Sequence, residues 1–273
     1  MSEDRTIWWW VLGAFVVVAA AGAWWWLGRT AEPRNVELAA MPAPATPSQP
    51  SAEARPEHPI EAAPAALVAA THPNALPPLA ESDSALRSAI AGLVGEPALV
   101  EFFRMSGIAA SVVATIDNLP RSKVATKVLP VRGPGRVFIV DVDPGQRVIG
   151  EANAGRYAAH VRLLEAVDSK SAAAVYVRFY PLLQQAYREL GYPQGNFNDR
   201  LVAVIDHLLA TPVVEAPIPV VQPKVLYEFA DPGLEARSAG QKLLLRMGSA
   251  NAERVKAKLR SFRREITAAL PHE

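Results

Sequence analysis

The sequence has no cysteine. That excludes a disulfide framework, a thiol nucleophile and any cysteine-ligated metal. It has almost no surplus charge. Its 28 basic residues stand against 27 acidic ones, for a formal net charge of +1, so the chain as a whole is not built to steer a polyanion. No tryptophan follows Trp26. No HExxH, GxSxG or GxxxxGK[ST] pattern occurs, which removes the usual spacing signatures of zinc hydrolases, serine hydrolases and P-loop enzymes. The stretch RGPGR has glycines but no lysine-serine pair behind them. His160, His207 and His272 are too scattered to suggest a metal ligand pair. No zinc-finger or RRM signature is present, and no convincing helix-turn-helix. Neither a cofactor nor a nucleic-acid partner is therefore expected.

What is present begins with a hydrophobic run. Ile7–Leu27 carries no charge and is bracketed by Trp8, Trp9, Trp10 and Trp24, Trp25, Trp26. A helix of that length covers about 30 Å, the hydrocarbon thickness of a bilayer, and indole rings favour the headgroup level at each interface. The run is expected to be a transmembrane anchor at 7–27, behind a short tail at 1–6, with the lipid bilayer as its partner. A cleaved signal peptide is the alternative, but Trp24–Trp26 crowd the only small-residue cleavage candidate, Ala21-Gly22-Ala23. Arg5 stands before the run and Arg29 and Arg34 after it, a slight bias towards a cytoplasmic C-terminal side. A short tail, one anchor and a long spacer favour the opposite topology, and we take that reading: a single-pass inner-membrane protein with its soluble part in the periplasm.

Residues 28–81 are rich in alanine and proline, as in MPAPATPSQPSAEARPEHPIEAAPAALVAATHPNALPP. Proline fixes φ and removes donors, so this stretch is expected to be a disordered linker with polyproline character and at most a marginal helix over 62–70. His58 and His72 are isolated within it.

Organised sequence starts near Ser82. Leu86, Ile90 and Leu93 recur at helical spacing behind Ser82 or Ser84 as cap, with Gly95 as a stop. Pro97 suits the start of a second helix that continues through Val112, Val113 and Ile116. RVFIV reads as a strand, DPGQ as a turn and RVI as its return. Helices resume over 157–167 and 171–190, the second kinked or divided at Pro181. Another runs from Asn198 to Pro212 with Leu201, Val202, Ile205, Leu208 and Leu209 as its apolar set. GLEARSAGQKLLLRMG is expected to be one helix, and the last starts near Asn251. The fold class is mainly α: a single helical domain over 82–270 with seven or eight helices and a minor β-hairpin.

Two stretches hold candidate function. The first is the elbow between two helices, with Tyr192, Asn196, Asn198, Asp199, Arg200, Asp206 and His207 as candidate binding residues. Gly191, Pro193 and Gly195 permit a tight reversal. The structural reading is that Asn198 or Asn196 caps the second helix and Asp199 meets its positive end. Arg200 is expected to pair with a carboxylate of the preceding helix, while Tyr192 and Phe197 fill the junction. The functional reading is a ligand cleft, or a hydrolase using Asp199 or Asp206 with Glu189. The second stretch is the basic run Arg254, Lys256, Lys258, Arg260, Arg263 and Arg264, which leaves an apolar seam clean. It suits either a packed terminal helix or contact with anionic lipid or a polyanion.

The stretches TIDNLPRSKV, AAVYVRFYPLLQQAYRELGYPQGNFNDRLVAVIDHLLATP, QPKVLYEFADPGLEARSAGQKLLLRMG and NAERVKAKLR closely resemble a proteobacterial family defined as a domain of unknown function, DUF3014. The resemblance covers most of 82–270. It implies a membrane-anchored protein with one helical domain and brings no assigned reaction or site residue. With no catalytic signature in hand, we expect an envelope-facing interaction or binding domain whose partner is an envelope protein or a cell-wall component. The alternative is the cell-envelope hydrolase.

Overall fold

The computed structural model describes residues 56–60, 76–135 and 137–267. The expected tail, the anchor at 7–27 and the linker stretches 28–55 and 61–75 lie outside the described residues. Among the described residues no helix is long and apolar enough to cross a membrane.

The domain is mainly helical with small two-stranded sheets. A 3-10 turn at Leu79–Glu81 leads into α1 (Asp83–Val94), α2 (Glu96–Phe102) and α3 (Ile108–Asn118). The hairpin β1 (Val140–Asp143) and β2 (Gln146–Ile149) follows, in the register Val140 to Ile149. Next come α4 (Asn153–Ala166), α5 (Ser169–Glu189) and α6 (Phe197–Leu209). The short strands β3 (Val220–Val221) and β4 (Glu228–Phe229) precede α7 (Pro232–Glu235), α8 (Ala239–Arg246) and α9 (Ser249–Thr267).

The apolar seams dictate the packing. Phe179, Leu183 and Tyr187 from α5 meet Ile108 and Val113 from α3, Leu201 and Ile205 from α6, and Ile266 from α9 in one buried cluster. A second cluster joins Tyr157 and Val161 of α4 to Val204 and Leu208 of α6 and Leu244 of α8. The helix α9 runs against α4, α5, α6 and α8, so the clean seam of the basic run is what closes the bundle. A third, smaller cluster places Ile218, Phe229 and Leu245 under the strands. The Ile149 N–H donates to the Ile218 carbonyl at 2.9 Å, which links the two hairpins.

Several local expectations change. The helix from Pro97 does not continue to Ile116. It ends at Phe102, Gly107 turns in the left-handed region at φ +56°, and α3 starts afresh. The Asp83 carboxylate accepts from the N–H groups of Gly107 and Ile108 at 2.7 and 2.8 Å. An acid on α1 therefore caps α3 across space, a cap that no local spacing reveals. Pro181 neither ends nor divides α5, which runs through it. Burial of Phe179, Leu182 and Leu183 on either side outweighs the one lost intrahelical bond. GLEARSAGQKLLLRMG is two helices, because the Ser238 hydroxyl accepts from Gln241 N–H and starts α8 anew. The strand of the hairpin begins at Val140, at the end of RVFIV.

The linker also departs from expectation. Leu76, Leu79 and Ile60 pack against the main cluster, so parts of the alanine- and proline-rich stretch belong to the folded body.

Phe197 opens α6 and is fully buried. Its ring lies 5.5 Å from that of Tyr187, which stacks on Tyr192 at 4.6 Å. Phe197→Ala should therefore cost about 3–5 kcal/mol, read from denaturant unfolding. A midpoint near that of the wild type would mean the elbow is not part of the core.

Candidate functional site

The elbow is built by a short loop with little room for added side chains. Gly191 sits at φ +117°, where a side chain is strained. A Cβ on Gly195 would meet Tyr187 Cε1 at 2.8 Å. Gln184 on α5 latches the loop. Its amide donates to the Gly195 carbonyl at 2.7 Å and its oxygen accepts from Phe197 N–H at 2.8 Å. The cap of α6 is Asn196, whose Oδ1 accepts from the N–H groups of Asn198 and Asp199 at 3.0 and 3.2 Å. Asn198 therefore does not cap. It is fully buried, its Oδ1 accepts from the Tyr176 hydroxyl at 2.9 Å, and its amide points to the linker.

That linker contact is the main surprise. Asn198 Nδ2 donates to the His58 carbonyl at 2.7 Å. Asp199 accepts from Glu57 N–H at 3.1 Å and from His58 N–H at 2.7 Å. The candidate cleft at the start of α6 thus holds a bend of the chain's own main chain, from a stretch expected to stand apart from the domain.

Behind the loop lies Asp117, a buried carboxylate at the end of α3. Arg200 donates from Nε to its Oδ1 at 3.0 Å and from Nη2 to its carbonyl at 2.9 Å. Arg121 donates to Oδ2 at 2.6 Å. The Tyr192 hydroxyl donates to Oδ2 at 3.2 Å and accepts from Arg121. Arg200 thus pairs with α3, not with the preceding helix. The hydrogen bond and charge of Asp117 raise the Arg121 pKa further above its ordinary value. Asp117 and Arg121 lie within TIDNLPRSKV at i, i+4 spacing, a signal that marks a local pair but says nothing of Arg200 or Tyr192.

The remaining candidates lie away from the elbow's grip. Asp206 forms a bidentate pair with Arg263 at 2.7 and 2.9 Å. His207 Nε2 lies 2.8 Å from Ser238 Oγ. Glu189 is exposed and accepts from Gln185 at 2.9 Å. Asp199, Asp206 and Glu189 therefore have separate partners.

The basic run is largely spent inside the domain. Arg254 pairs with Glu165 of α4. Lys256 is buried and donates to the Thr211 carbonyl at 2.7 Å. Lys258 reaches the Glu165 and Val167 carbonyls. Arg260 faces Glu253 at 3.9 Å, Arg263 holds Asp206, and Arg264 is exposed. This pattern is that of a packed helix whose cations tie it to its neighbours.

A separate cleft of about 580 Å³ lies between the first hairpin, residues 216–218 and the turn from α8 to α9. Asp141, Glu151, Asn153, Arg246 and Asn251 line it. Its walls come from stretches some hundred residues apart, so no local pattern announces it. Asn153 is occupied with the Gly150 carbonyl and Asn251 with that of Ala154, both at 2.9 Å.

These features define a mainly helical domain with a main-chain-gripping elbow. The family model described as Protein of unknown function (DUF3014) matches residues 108–263, and the chain belongs to that family. Comparison with curated proteins and with solved structures finds no match. The matched stretch includes Asp117, Arg200 and Asp199 but not residues 56–60.

Two outcomes follow. Arg200→Met keeps most of the stem volume but leaves the buried Asp117 with the Tyr192 hydroxyl and a single cation, Arg121, which is half-exposed. It should cost about 3 kcal/mol, at the low end for a broken buried pair, and Arg121→Met should cost less; equal losses in denaturant unfolding would contradict the arrangement. Burial, then the charges of Tyr180 and Asp199, pushes the Tyr176 hydroxyl well above its ordinary pKa. Unfolded tyrosine ionises near pH 10, while the folded hydroxyl stays neutral beyond it. The stability contributed is therefore full below about pH 10 and lost as pH rises towards the folded value. Tyr176→Phe should flatten that alkaline loss in thermal midpoints taken between about pH 8 and pH 11.

Proposed function

We propose that this chain is a single-pass inner-membrane protein whose helical domain is an interaction module in the periplasm, with an envelope protein or cell-wall component as its partner. The observation that carries the reading is the grip of Asn198 and Asp199 on main chain at residues 57 and 58. A surface that holds peptide by its backbone is a binding surface. The uncharged, tryptophan-bracketed run Ile7–Leu27 supports the anchor. The hydrolase reading has less behind it, since Asp199 is taken up by amides and Asp206 by Arg263.

Protease treatment of intact spheroplasts should degrade the domain and leave the anchor protected, and crosslinking in native membranes should then capture a specific envelope partner. Degradation only after lysis would reverse the topology. A chain that co-purifies with no specific partner across growth conditions would contradict the module.

A further inference from the structure

The segment 56–60 reads Pro-Glu-His-Pro-Ile. Proline has no N–H, so only Glu57, His58 and Ile60 can donate from the main chain. Two of these three donors converge on one carboxylate, Asp199, at 3.1 and 2.7 Å. Successive N–H groups meeting at one anion form a concave nest, which requires a bend, and residues 57 and 58 are bent. The third contact runs the other way, from Asn198 to the His58 carbonyl at 2.7 Å. Ile60 then packs against the main apolar cluster.

The receiving groups are preset. Asn196 holds the first amides of α6, which fixes where Asn198 and Asp199 begin. The Tyr176 hydroxyl occupies Asn198 Oδ1, which turns the amide nitrogen towards the bend. A donor and a carboxylate fixed in this way lose little freedom when peptide arrives.

We propose that Asn198 and Asp199 form a peptide-binding clamp for a bent, proline-flanked segment of the form Pro-x-x-Pro-aliphatic, with residues 56–60 as its resident occupant. This rests on the interaction-module reading and names the ligand class. The hydrogen bonds read main chain, so the two x positions are free in side chain but must keep their N–H. The flanking prolines add no donors of their own. The apolar contact of Ile60 supplies the side-chain preference. Because the occupant belongs to the same chain as the clamp, its binding is intramolecular, with an effective concentration on the order of millimolar. A competing segment from a partner must exceed that, or meet the clamp after the resident one has been drawn away.

The test uses the full chain in detergent and a fluorescent synthetic peptide of residues 54–62, read by anisotropy. Three linker substitutions, Glu57→Pro, His58→Pro and Ile60→Asp, remove the resident donors and the apolar anchor without touching an α-helix. The chain carrying them should bind the peptide at least about tenfold more tightly than the wild type, whose clamp is filled. Adding Asp199→Ala to it should weaken binding at least about tenfold. A probe peptide with proline at both positions 57 and 58 should not bind the vacated chain, and this arm needs no further change to the protein. The clamp is overturned if the vacated chain ignores the natural peptide at millimolar concentration, or binds the proline-substituted peptide equally well. A specific envelope partner still captured by crosslinking in that event would leave the interaction module standing without this ligand.

Discussion

The elbow depends on one buried charge. Asp117 sits at the C-terminal end of α3, where the helix dipole disfavours a carboxylate, and it is sealed from water. An uncompensated carboxylate there would be expensive. Two guanidinium groups and a phenol surround it, and each comes from a different place. Arg121 follows α3, Tyr192 lies in the loop and Arg200 belongs to the first turn of α6. Neutralising one charge therefore fixes where α6 begins relative to α3. Asn198 and Asp199 immediately precede Arg200, so their direction follows from that constraint.

The same logic explains why one stretch has two faces. Phe197 turns inward to Tyr187, Asn198 and Asp199 turn towards the linker, and Arg200 turns back to Asp117. Four consecutive residues in a first helical turn point about 100° apart, so core, clamp and charge lock can be adjacent in sequence. A clamp built on a helix start supported from behind is rigid, which is what recognition of main chain requires. Docking of residues 56–60 also extends the folded body beyond its expected start at Ser82 to include that segment.

Much of this was legible in the sequence, and the exceptions have physical causes. The helical class, the hairpin around Asp143, Pro144 and Gly145, and the inward Phe197 follow from local periodicity and turn chemistry. The seam of α9 was readable as well. Interactions closed across space were not. Asp83 capping α3, Gln184 latching the loop and Arg200 choosing Asp117 join residues whose spacing carries no period. Asn196 rather than Asn198 is the cap because Phe197 already lies in the helix, a shift of two residues that composition does not distinguish. Residues 56–60 were hidden for another reason. Prolines argue against regular structure, but a bend held by two amides and a carbonyl needs none.

The most direct test of the account is amide hydrogen exchange at Glu57 and His58 in the full chain. If Asp199 holds both N–H groups, these two amides should exchange at least about tenfold more slowly than in a free peptide of the same sequence, and Asp199→Ala should restore the free rate while α5 and α9 stay protected. Free-peptide exchange at both positions in the wild type would contradict a filled clamp.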